Sequence, residues 1–145
     1  MSEEDQRLFR LVISELFFDA TFAWTPESLM DSWKAGGAWG AFQGAELVGF
    51  IVYRNIDSQV AEIMALASVP AIRKRGVMLN LLRALFEARK AVHWWLEVHE
   101  KNLPAVSLYQ KLGFYQVGSR KNYYKDGGGA LVMNYDHPLN PAFKS

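Results

Sequence analysis

The sequence predicts an α/β domain, a mixed sheet of about six strands with helices on both faces. Apolar residues recur at helical spacing in four segments, and the runs between them are short, bulky and bounded by turn residues. Their order matters as much as their type. Helices come first, a meander follows, and helix and strand then alternate.

Residues 3–20 place Leu8, Leu11, Val12, Leu16 and Phe17 at helical spacing, with acids in the first turn. A second helix opens at Thr25-Pro26, where threonine can cap and proline suits the first helical position, and it ends near Gly36-Gly37. Ala38–Gln43 and residues 46–54 read as a hairpin about Gln43-Gly44-Ala45. Turn residues over 55–59 lead to a third strand at 60–69. Residues 77–90 form a helix with a stripe of Met78, Leu81, Leu82, Leu85 and Phe86. Residues 92–98 are a strand of bulky side chains. The helix at 102–112 has Asn102 as its cap, Pro104 in its first turn and Gly113 just past its end. Strands at about 114–123 and 130–135 flank a loop at 125–129. The unit from Val60 to Val98 is expected to be a right-handed parallel crossover.

The 145 residues suffice for one domain, spanning 1–145, with one core. Half of them are hydrophobic and 14% aromatic, which excludes a disordered chain. A net charge of +1 gives no global attraction to nucleic acid or to an anionic membrane, so anion binding must come from local clustering. With no cysteine, disulfides, thiol nucleophiles and thiolate metal sites are excluded. Met1 to Asp5 are polar and acidic, unlike a signal peptide, and no apolar run approaches the roughly 18 residues that span a bilayer. A cytoplasmic protein is expected, with neither nucleic acid nor membrane as partner.

Three segments carry possible chemistry. Arg73-Lys74-Arg75-Gly76 stands between a strand and a helix. A helix N-terminus offers unpaired N–H groups, glycine admits a close approach, and the basic side chains add charge, so a phosphate suits the place. Taken alone, the stretch more often describes a solvated basic turn. In Trp94-Trp95-Leu96-Glu97-Val98-His99, alternation puts Trp95, Glu97 and His99 on one face. A carboxylate beside tryptophan loses water, which disfavours its charged form and can poise it as a general base. The commoner reading is a structural carboxylate. Tyr109 shares a stripe with Ala105, Leu108 and Leu112, which argues for packing. Its phenol could also protonate a thiolate, since reference pKa values are about 10 and about 8.5. The three histidines have no metal-site spacing, and no metal is expected.

The order of these pieces is more specific than any one of them. A strand, Arg73-x-x-Gly76 and a helix, then Trp95-Leu96-Glu97-Val98, then Asn102-x-x-Ala105-x-x-x-Tyr109-x-x-x-Gly113-Phe114 resembles the GNAT superfamily of N-acetyltransferases. Phe22-Ala23-Trp24-Thr25 and Arg120-Lys121-Asn122-Tyr123-Tyr124 draw the resemblance toward its ribosomal-protein-alanine N-acetyltransferase branch. The resemblance covers about Leu8 to Tyr135 and implies central strands splayed to admit acetyl-CoA. It implies that the backbone of Leu66, Ala67 and Ser68 pairs with the pantetheine arm. Arg73, Lys74, Arg75, Gly76, Val77 and Met78 would cradle the pyrophosphate, and Asn102 would bond the cofactor arm while capping its helix. Glu97 would be the general base and Tyr109 the general acid, with Trp24, Tyr123 and Tyr124 lining the acceptor side.

The implied reaction is transfer of acetyl from acetyl-CoA to a protein N-terminus, such as that of a ribosomal protein. A small-molecule or lysine acetyltransferase and a non-catalytic CoA-binding module are the alternatives. An amine attacks only when neutral. The α-amino pKa of about 7.7–8.0, against about 10.4 for lysine, leans toward Nα chemistry. Three departures bear on this. Met78 stands where the family has glycine or alanine and is expected to crowd the pyrophosphate. Gly127-Gly128-Gly129 replaces an acidic pair. The family's first strand looks absent.

Overall fold

A computed structural model describes residues 37–68 and 75–139, together with Glu3, Asp31, Lys34 and Ala35, and excludes the side chain of Ala67. The helices expected at 3–20 and from Thr25, and with them Trp24, Arg73, Lys74 and the expected loss of a first strand, lie outside the described residues.

Six strands form one sheet: β1 (Ala38–Gln43), β2 (Glu46–Asn55), β3 (Val60–Ser68), β4 (His93–His99), β5 (Tyr115–Arg120) and β6 (Ala130–Asp136). Their order across the sheet is β1-β2-β3-β4-β6-β5. Two helices, α1 (Val77–Ala88) and α2 (Leu103–Leu112), follow β3 and β4. The meander is antiparallel, β3 and β4 are parallel as expected, and β6 inserts antiparallel between β4 and β5.

The core cluster covered by α1 and α2 lies on one face, while Val48, Phe50 and Val52 of β2, which alternate with Ile51 and Tyr53, are also buried. Within that cluster Trp94, Leu96 and Val98 of β4 are buried with Leu82, Leu85 and Phe86 of α1 and Tyr109 of α2. Aromatic edges and faces interlock in this layer, with Phe86 at 5.3 Å from Trp94 and 4.5 Å from Tyr135. The alternation in β4 therefore sorts the chain as expected: Trp94, Leu96 and Val98 inward, Trp95, Glu97 and His99 to the other face.

Two local features shape the sheet around the site. The ladder between β3 and β4 runs from Val60 opposite His93 to Ile63 opposite Leu96. On its other side β3 carries a bulge at the next residue, because Tyr53 pairs with Ile63 while Val52 pairs with Ala65. The extra residue, Met64, bends the strand where its pairing with β4 ends. The second feature corrects an expectation. The strand expected at 114–123 stops at Arg120, and Asn122 turns the chain at φ 54°. The loop before β6 thus starts four residues earlier than expected.

Candidate active site

Glu97 leaves β4 just past the last β3–β4 pair, on the face away from the core. Its side chain is only 12% exposed, and Oε2 is buried with no hydrogen-bond partner among the described residues. The Arg120 guanidinium lies 3.6 Å from Oε1, which supplies charge without a close bond. A buried carboxylate oxygen left without a donor is costly, and such groups mark places where something else binds or reacts.

A second acid shares this face, and the sequence reading missed it. Glu62 of β3 sits opposite Trp95 in the parallel ladder and directly opposite Arg54 across β2. The two make an ion pair at 2.6 Å, with Glu62 itself 11% exposed. Burial raises its pKa above the ordinary carboxylate value, Arg54 opposes that rise, and the charge of Glu97 adds to it. The signal available in the sequence was a lone acid inside the apolar run Val60-Ala61-Glu62-Ile63-Met64.

Three tyrosines complete the cluster. Tyr109 is buried in α2, its ring 5.5 Å from Phe114. Burial, and secondarily Tyr124, push its phenol far above the ordinary value, so it stays protonated throughout the physiological range. The phenol of Tyr124 is pushed up to about 12, first by burial and then by Glu97. Tyr123 is half exposed and lies under Arg120 at 5.3 Å, and its phenol is also raised by desolvation and by Glu97. Of the two readings of Tyr109, packing in the core is the one the structure shows.

The expected ligand-side residues divide. Leu66 and Ser68 lie on β3 beyond the bulge, where the strand has parted from β4. The α1 N-terminus begins at Gly76, which is left-handed at φ 76° and provides no side-chain cap. No acid stands in the first turn either, and among the described residues this helix start, with the exposed Arg75 beside it, is a setting that favours an anion. Met78 packs against the core cluster, as the apolar stripe of its helix predicts. Asn102 caps α2 through Oδ1, which accepts from Ala105 N–H at 3.3 Å.

The histidines are engaged elsewhere. His93 bonds Asp136 at 2.6 Å, His137 bonds Glu87 at 2.7 Å, and His99 bonds Asp126 at 2.8 Å. Among the described residues no group of three or more His, Asp or Glu could hold a metal, and no helix is long and apolar enough to cross a membrane.

Comparison with known proteins adds the family context. Residues 6–114 match the model of the acetyltransferase (GNAT) family. A stretch of 91 residues is 37% identical to an N-alpha-acetyltransferase of Sulfolobus acidocaldarius, covering 59% of this chain and 54% of that protein. The chain thus spans about half the length of that curated relative. In fold, it is similar to the ribosomal-protein-S18-alanine N-acetyltransferase of Escherichia coli, with a TM-score of 0.78 and 22% identity over 94% of this chain and 90% of that one. It is also similar to Arabidopsis thaliana NAA60 in complex with acetyl-CoA, with a TM-score of 0.77 and 19% identity over 93% and 94% of the two chains.

Proposed function

Because the chain belongs to the GNAT acetyltransferase family, we propose that it transfers the acetyl group of acetyl-CoA to a primary amine, most naturally the α-amino group of a protein N-terminus. The observation that carries this reading is Oε2 of Glu97, a buried oxygen without a donor beside the parting of β3 and β4. An ammonium entering that gap would supply the missing donor and lose a proton to it. The relatives named N-alpha-acetyltransferase favour an N-terminal acceptor, and a ribosomal protein is the finer expectation.

In this reading the acetyl-CoA arm runs along the edge of β3 at Leu66, Ala67 and Ser68. Its pyrophosphate rests at the start of α1, over residues 75–78. Asn102 donates to the arm. Tyr123 and Tyr124 line the acceptor side. Glu97 takes the proton of the incoming ammonium, directly or through water. The neutral nitrogen attacks the thioester carbonyl, a C–N bond forms and the C–S bond breaks; the departing thiolate takes the proton of Tyr109, and the second proton that the nitrogen sheds on becoming an amide restores the phenol. Burial keeps the phenol protonated until the thiolate leaves, and because it also lifts the phenol far above a thiol, the return of the nitrogen's proton is what draws the transfer to completion. No step calls for a metal.

Glu62 supports a second assignment of the base. It faces the same gap, and its raised pKa brings it nearer the range of a general base at neutral pH. Its bond to Arg54 argues for a fixed charge instead.

Free thiol release from acetyl-CoA, measured with N-terminal peptides, peptides bearing only an internal lysine, and polyamines, tests the reading. Turnover of N-terminal peptides is expected. Turnover of polyamines alone would replace the acceptor, and binding of CoA without turnover of any amine would leave a binding module.

A further inference from the structure

His99 ends β4 on the face of Glu97 and is held from three sides. Its Nδ1 accepts from the Lys101 N–H at 3.1 Å, which assigns the proton of the neutral ring to Nε2. Nε2 donates to Asp126 at 2.8 Å, and Asp126 also accepts from the Gly128 N–H at 2.8 Å. The imidazole lies nearly flat on Tyr124, with centroids 4.8 Å apart and planes at 19°.

The loop closes around this ring. The Tyr124 N–H donates to the Gly128 carbonyl at 3.0 Å, and the Gly127 N–H donates to the Tyr124 carbonyl at 3.0 Å. The Gly129 N–H donates to Glu100 at 3.0 Å, while the Glu100 N–H donates to the Gly129 carbonyl at 2.9 Å. A glycine-rich segment with little conformational preference of its own is thereby fastened to the end of a central strand. The phenol of Tyr124, the residue so fastened, is raised first by burial and then by Glu97, and Tyr124 in turn raises that of Tyr109.

We propose that His99 is a positioning residue: stacked on Tyr124 and bonded to Asp126, it holds the 121–129 loop as the wall that receives the acceptor beside Glu97. The proposal rests on the amine-acetylating reading of the site. His99 touches none of the reacting atoms, and its effect passes through Tyr124. Asp126 serves the wall as the acceptor that fixes the ring, which accounts for an acid within a loop otherwise rich in glycine.

The test uses the full chain, acetyl-CoA and the N-terminal peptide that wild type turns over best. His99→Ala is expected to raise the KM for peptide about tenfold while the KM for acetyl-CoA stays unchanged. His99→Phe keeps a ring against Tyr124 and is expected to recover most of that loss. Asp126→Ala alters an exposed loop position and should raise the peptide KM in the same direction, which keeps the question open to experiment should the alanine at 99 not fold. An unaltered peptide KM in both alanine variants would overturn the proposal. So would a parallel rise in both KM values, or a phenylalanine variant no better than alanine. Wild type that turns over no amine would instead sink the reading of the site on which the proposal stands.

Discussion

A methyl group on Gly128 would stand 2.3 Å from Nε2 of His99 and 2.4 Å from Cε1. The backbone angle at Gly128 is not what requires glycine here; the neighbouring imidazole is. That ring cannot swing aside without giving up Asp126, Lys101 and Tyr124 together.

Gly128→Ala should therefore destabilise the protein by about 1–3 kcal/mol, the usual cost of forcing atoms into a packed space. In a His99→Ala background the same change should cost much less, because the obstructing ring is gone. Urea unfolding of the two single variants and the double variant measures the coupling. Additive effects would mean that the two residues do not meet.

Glu62 gives stability a distinctive dependence on pH. Its native-state pKa is raised above 4.5, so the folded protein keeps a proton that the unfolded chain has already lost. The resulting contribution is complete below the unfolded pKa and declines as pH rises through the native value. The stability of wild type relative to Glu62→Gln should thus fall as pH rises above the ordinary carboxylate value, as read from urea midpoints. A difference that grows with pH would place the Arg54 attraction above the burial cost.

Tyr109→Phe keeps the ring that packs against Phe114 and removes only the hydroxyl. If that hydroxyl protonates the leaving thiolate, kcat should fall about a hundredfold or more with little change in either KM. Because burial holds the phenol protonated, the wild-type kcat profile should show no decline from Tyr109 up to mildly alkaline pH. Steady-state thiol release over a pH series checks both statements.

Met78→Gly is expected to cost stability rather than tighten CoA binding. The thioether packs against the core, and glycine in the first turn of α1 adds backbone entropy to the lost contacts. Together these amount to about 2–5 kcal/mol. Thermal unfolding and a CoA titration of the same variant separate the two effects.

What could be read from the sequence was local. Glu97 followed from alternation along β4, and Asn102 and Gly113 bounded α2 through the capping and terminating chemistry that the residues themselves carry. The remainder depends on pairings between distant segments. Glu62 became a site residue only when β3 aligned beside β4, and the end of that ladder coincides with a bulge at Met64 that no periodicity announces. His99 and Asp126 are 27 positions apart. The strand expected through Tyr123 ended early because Asn122 turned the chain, and that turn brought Tyr124 onto the imidazole. The inward course of Met78 was set by packing around α1, for which the stripe of that helix was the available clue.

The most direct measurement compares wild type with Glu97→Gln in thiol release from acetyl-CoA using an N-terminal peptide, alongside acetyl-CoA binding by calorimetry. If the buried oxygen takes the amine's proton, kcat should fall by about a hundredfold to ten-thousandfold while acetyl-CoA affinity is retained. A glutamine variant turning over at the wild-type rate would contradict the assignment of Glu97 as the base.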